Sequence, residues 1–140
     1  MNKPASNVRG DRTDPPDFGI NLDSVRSFLT DKESSRRKNL DERFKQITAD
    51  CEKIINHIIA HHSVRRIYQW GSLLDRRRFS EISDIDIALE GVKDYQDFSN
   101  ILGEAMAMTG FPLDIVELER VGEENARYIR ETGRMVYGQD

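Results

Sequence analysis

Between Ser83 and Leu89 the chain reads Ser-Asp-Ile-Asp-Ile-Ala-Leu, an alternation of acidic and apolar residues with a period of two. A β-strand sends successive side chains to opposite faces, so the pattern aims Asp84 and Asp86 one way and Ile85, Ile87 and Leu89 the other. The apolar face demands a core. The acidic face demands a counter-charge, because two carboxylates about 4 Å apart repel by roughly 4 kcal/mol at an effective dielectric of about 20. A divalent cation is the natural candidate.

At 140 residues the chain suits one domain with a modest core. It is short for a catalytic domain plus a separate substrate domain, so the acceptor is expected to come from another molecule. A net charge of −4 and a pI near 5.4 argue against general duplex-DNA affinity. Arg65, Arg66, Arg76, Arg77 and Arg78 cluster locally, a pattern better suited to a small anion. The single cysteine, Cys51, rules out an internal disulfide framework and points to a cytosolic setting. Neither a signal-peptide core nor the roughly 20-residue apolar run of a membrane span occurs, so no membrane insertion is expected.

Residues 1–21 are polar and carry Pro4, Pro15 and Pro16, which predicts a flexible tail. Leu22 to Leu29 suits a short helix. From Glu33 to His62 the apolar positions Leu40, Phe44, Ile47, Cys51, Ile54 and Ile58 alternate steps of four and three, predicting a long amphipathic helix. Its stripe needs a partner, either the domain's own sheet or a neighbouring chain in a coiled-coil-like, homo- or hetero-oligomeric contact. His57 and His61 lie one turn apart on it, but no acidic or third histidine partner sits at matching spacing for a metal.

Further elements follow in order: a strand over 66–70, a turn at Gly71-Ser72, a short helical stretch over 73–78 and the carboxylate strand over 84–89. A helix over 95–108, a strand over 113–118, a helix over 123–132 and an extended piece over 134–137 complete the series. The fold class is therefore α/β (α+β), a small mixed sheet backed by helices, with a long N-terminal helix. Residues 22–62 are the N-terminal helices and 63–140 the core, with 33–62 belonging to the same domain.

Asp114, at the start of the 113–118 strand, joins Asp84 and Asp86 if the two strands are neighbours. Three carboxylates suit Mg²⁺ or Mn²⁺, which take one or two protein carboxylates and complete their shells with water and substrate phosphates. The partner implied is a nucleoside triphosphate, and Asp114 is the candidate base for the attacking hydroxyl. Gly71 and Ser72, where strand turns to helix, offer backbone N–H groups and a hydroxyl to phosphate oxygens. Of Arg76, Arg77 and Arg78, Arg76 is the candidate triphosphate contact; the bland alternative is a solvated basic face. Ser72 also suits a helix cap, Trp70 the core, and Cys51 a small apolar role.

Gly71-Ser72, eleven residues, then Asp84-Ile85-Asp86, with a third acid at Asp114, resembles the nucleotidyltransferase superfamily of the DNA polymerase β type. In particular it is similar to the minimal nucleotidyltransferase domains over about Val64 to Tyr137. The resemblance implies that Gly71 and Ser72 contact the triphosphate, that Asp84 and Asp86 bind the metals and that Asp114 completes the site. It implies transfer of a nucleoside monophosphate, most often AMP from ATP, to a hydroxyl. It further implies an antitoxin of a HEPN-type RNase toxin, acting by modifying that toxin. A non-catalytic antitoxin acting by complexation and an aminoglycoside-like small-molecule transferase are the alternatives. Leu73-Leu74-Asp75 after the Gly-Ser pair departs from the family pattern, which places arginine or an aromatic there.

Overall fold

The computed structural model describes Gly19 and residues 21–139. The segment expected as a tail lies outside the described residues except for Gly19 and Asn21. The chain divides into two compact units, Met1–Lys38 and Asn39–Asp140.

One helix, α1 (Leu22–His61), replaces the two expected from the sequence. No proline or glycine interrupts Thr30-Asp31-Lys32, so nothing stops the backbone ladder there. The Asn21 carboxamide oxygen caps its start by accepting from the Asp23 N–H at 2.8 Å. Within the first unit, Leu22, Val25, Phe28 and Leu29 share one helical face and are exposed.

The second unit carries a four-stranded mixed sheet. Strands β1 (Arg66–Trp70), β2 (Ile85–Glu90), β3 (Leu113–Glu117) and β4 (Arg134–Tyr137) lie in the order β3-β2-β1-β4. β1 runs antiparallel to β2 and to β4, whereas β2 and β3 are parallel. Parallel neighbours need a crossover, supplied by α2 (Tyr95–Met108), whose first turn is capped by the Asp94 carboxylate accepting from the Asp97 N–H. A third helix, α3 (Glu123–Thr132), precedes β4.

Ile85, Ile87 and Leu89 are fully buried, as their alternation predicted. They pack in one cluster with Ile47, Cys51, Ile54 and Ile58 of α1 and Ile101 and Ala105 of α2. The α1 stripe thus finds its partner in the chain's own core. Asp50 of α1 accepts from the Thr109 hydroxyl at 2.7 Å, and His57 meets Glu104 of α2 at 2.6 Å. As numbering rises along α1 it falls along α2, so the two helices run antiparallel. The other sheet face carries a smaller cluster of Tyr68, Ala88 and Leu118 with Ala126 and Ile129 of α3. Burial pushes the Cys51 thiol up to about 12, which fits its apolar role.

Candidate active site

The topology gathers the acids. In the parallel pair Asp86 stands beside Asp114, so both side chains leave the same sheet face, and Asp84, just before β2, lies near enough for its charge to act on Asp86. The Ile85 N–H donates to the Pro112 carbonyl at 2.9 Å, tying the start of β2 to the start of β3. Antiparallel β1 ends where β2 begins, with Trp70 opposite Asp86, so the turn leaving β1 arrives at the same end of the sheet.

That turn is Gly71, with φ of 84°, a region that side-chain-bearing residues seldom occupy. A Cβ there would collide with Oδ2 of Asp86 and lie 3.0 Å from its Cγ. Glycine thus lets the backbone close onto the carboxylate. A three-residue 3₁₀ turn, Ser72–Leu74, follows, shorter than the helical stretch expected over 73–78. Its internal bonds begin with the Leu74 N–H to the Gly71 carbonyl, which leaves the Ser72 and Leu73 N–H groups at its open end. So short a turn has little macrodipole, and any anion held there must rely on the N–H groups themselves.

Ser72 does not cap this turn. Its hydroxyl donates to Ser83 Oγ at 2.7 Å, and Ser83 Oγ accepts from the Ser80 N–H at 2.9 Å. Buried Ser83 directly precedes Asp84, so this chain of bonds ties the glycine-serine turn to the acidic strand.

The three carboxylates differ in setting. Asp114 is exposed, Asp84 half-buried, and Asp86 half-buried beneath the turn. Burial of Asp86, reinforced by the charges of Asp114 and Asp84, pushes its carboxyl up from 3.8 to about 7. Among the described residues no hydrogen bond or ion pair compensates any of the three. An all-oxygen, uncompensated acid cluster fits a hard divalent cation such as Mg²⁺ or Mn²⁺.

The basic residues are distributed otherwise than expected. Arg76, the candidate triphosphate contact, pairs with Asp41 of α1, and its guanidinium lies 5.1 Å from the Phe44 ring and 5.6 Å from the Phe79 ring. A flat cation stacks well on ring faces, so the core edge claims it. Arg65 and Arg66 bind the nearly buried Glu90 at 2.8 and 3.2 Å, with Arg130 at 3.5 Å. Burial raises the Glu90 carboxyl, yet these arginines outweigh it and hold the group below its ordinary value. Glu90 lies four residues along β2 from Asp86, about 13 Å at strand rise, so those arginines serve the sheet's far end. Arg78, by contrast, lines a pocket of about 230 Å³ with Trp70, Gly71, Leu74, Asp75, Tyr128 and Thr132. Among the described residues the indole N–H of Trp70 has no hydrogen-bond partner. Sequence reasoning singled out neither Arg78 among its neighbours nor Tyr128, because only the fold sets α3 beside the turn.

Comparison with known proteins bears on the fold and the family. Solved structures that share the fold include a toxin-antitoxin crystallised with AMP-PNP, at 20% identity and a TM-score of 0.54, covering 64% of this chain and 74% of that one, and the toxin-antitoxin MntA-HepT, at 19% identity and 0.50, covering 66% and 73%. No curated protein matches the chain. The family described as "Polymerase beta, Nucleotidyltransferase" matches residues 52–140, which include the glycine-serine turn and all three acids. The chain belongs to this polymerase β nucleotidyltransferase family.

Proposed function

We propose that the protein transfers a nucleoside monophosphate, AMP from ATP, to a hydroxyl of a partner protein, and that it thereby acts as the antitoxin of a HEPN-type RNase toxin. The observation that carries the chemistry is the convergence of Asp84, Asp86 and Asp114 beside Gly71. Asp84, Asp86 and Asp114 would hold Mg²⁺ or Mn²⁺, which when bound neutralises phosphate charge and makes the α-phosphorus more electrophilic. The Ser72 and Leu73 N–H groups bind phosphate oxygens, with the Ser72 hydroxyl holding the turn against Ser83, and Arg78 supplies positive charge at the adjoining pocket. Asp114, the exposed member of the trio, accepts the proton of the incoming hydroxyl. Pyrophosphate leaves.

The partner reading is supported by the fold likeness to toxin-antitoxin proteins and by the exposed apolar face Leu22, Val25, Phe28 and Leu29. Incubation with labelled ATP, Mg²⁺ and the product of the adjacent gene should label that neighbour, and an Asp84→Ala plus Asp86→Ala variant should not. Label on the neighbour that survives the double substitution rejects the enzymatic proposal.

The same exposed face favours a second reading, neutralisation by complexation with the acids idle. Under it the acid-deficient variant still protects cells from the toxin, whereas Phe28→Asp does not.

A further inference from the structure

Two helices bring together a second set of ligand atoms that the reaction above does not use. His57 of α1 and His62, just past its end, both direct Nε2 at Oε1 of Glu104 on α2, at 2.6 and 2.8 Å. All three ligand atoms lie within 4.8 Å of one another. The sequence offered His57 and His61 at one-turn spacing without an acidic partner. The fold supplies that partner from 47 residues away and substitutes His62 for His61.

We infer that His57, His62 and Glu104 form a binding site for a borderline-soft divalent cation of the Zn²⁺ class, separate from the acid trio. Two imidazole nitrogens with one carboxylate oxygen are a recurrent zinc ligand set, and imidazole discriminates against Mg²⁺, which prefers oxygen. Both nitrogens converge on one oxygen, and an ion seated among the three would take bonds of about 2.0–2.2 Å once the nitrogens draw apart from that oxygen. A metal-bound ring coordinates through an unprotonated Nε2 and carries its single proton on Nδ1, and any proton on Nε2 is released to solvent on binding. The side chains are 28%, 12% and 41% exposed, which gives the ion a way in and leaves space for a water ligand.

The consequence is mechanical. Glu104 belongs to the crossover helix between β2 and β3, the strands that carry Asp86 and Asp114. An ion here clips that crossover to α1 and adds to the Thr109–Asp50 bond that already joins the same two segments.

The test uses the full chain with Asp84→Asn and Asp86→Asn, so that the acid trio does not retain the probe. Zn²⁺ alone, followed by calorimetry and by competition with a chromophoric chelator, should bind one ion per chain and raise Tm by roughly 5–10 °C at a hundredfold excess over Kd. Co²⁺ in its place should give the visible d–d bands of a low-coordinate nitrogen-oxygen site. His62→Gln and, separately, Glu104→Gln should each weaken Zn²⁺ binding by about tenfold or more and abolish those bands. Glu104→Gln retains a hydrogen-bonding amide, so it serves as the readout if His62→Gln fails to fold. Absence of stoichiometric binding by the acid-deficient chain overturns the inference. So does binding that a folded variant of either kind leaves unchanged. Neither result bears on nucleotidyl transfer.

Discussion

Gly71 lies against Asp86 so closely that a methyl group at Cα would strike the carboxylate, and its φ of 84° is one that alanine resists. Gly71→Ala therefore meets two obstacles, backbone strain of about 1–2 kcal/mol and displacement of the Asp86 carboxylate. The expected outcome is a Tm lowered by several degrees together with a loss of transfer activity greater than the loss of stability explains. Thermal denaturation and single-turnover labelling at a temperature where the variant is fully folded separate the two effects.

Asp86 carries a raised proton affinity, and the sign of the resulting pH dependence follows from it. Unfolded, the carboxyl ionises near its ordinary 3.8; folded, it holds its proton up to about pH 7. The native state therefore binds the extra proton between these values, and this group's contribution to stability declines as pH rises from about 4 to about 7, then levels off. Asp86→Asn removes the titration. Its Tm relative to the native chain, without divalent ions, should rise by a few degrees between pH 5 and pH 8, and saturating Mg²⁺ should shrink that difference. A difference independent of pH would show that the carboxyl ionises normally.

Arg76 and Arg78 are two residues apart but differ in their surroundings. Arg76→Ala removes an ion pair between exposed groups and two ring contacts, together worth about 1 kcal/mol, so it should lower Tm and leave the ATP KM nearly unchanged. Arg78→Ala at the pocket beside Gly71 should raise that KM by about tenfold with little effect on Tm. The opposite allocation would return the triphosphate contact to Arg76.

Ile54 and Cys51 sit one turn apart on the buried stripe of α1. Ile54→Ala, at a fully buried site, should cost about 2–5 kcal/mol by denaturant unfolding. With its thiol pushed up to about 12, Cys51 should resist an aromatic disulfide reagent at pH 8 until denaturant is added. Prompt labelling of the native chain would place that stripe at a surface.

Most elements were readable because their signals are local. The alternation through Asp84 and Leu89, the apolar spacing of Phe98, Ile101 and Ala105, and the strand ending at Trp70 each depend on neighbours a few residues away, and each element lies where that spacing puts it. The helix boundary near Leu29 was misplaced for a related reason. The apolar pattern weakens there, but a helix stops only where its hydrogen-bond ladder is broken, and Thr30-Asp31-Lys32 does not break it.

The residue order alone determined which side chains share a strand face, and therefore that Asp86 leaves the sheet opposite to Ile85, Ile87 and Leu89, because the two-residue repeat of an extended backbone leaves no alternative. The tertiary structure alone decided what those faces meet. It set Asp114 beside Asp86 through a parallel pairing, pressed Gly71 onto the acid, assigned Arg76 to aromatic rings and Arg65 and Arg66 to Glu90, and carried Glu104 to His57 and His62. Contacts between segments tens of residues apart are chosen by the packing of whole helices and strands, and no local spacing encodes that choice.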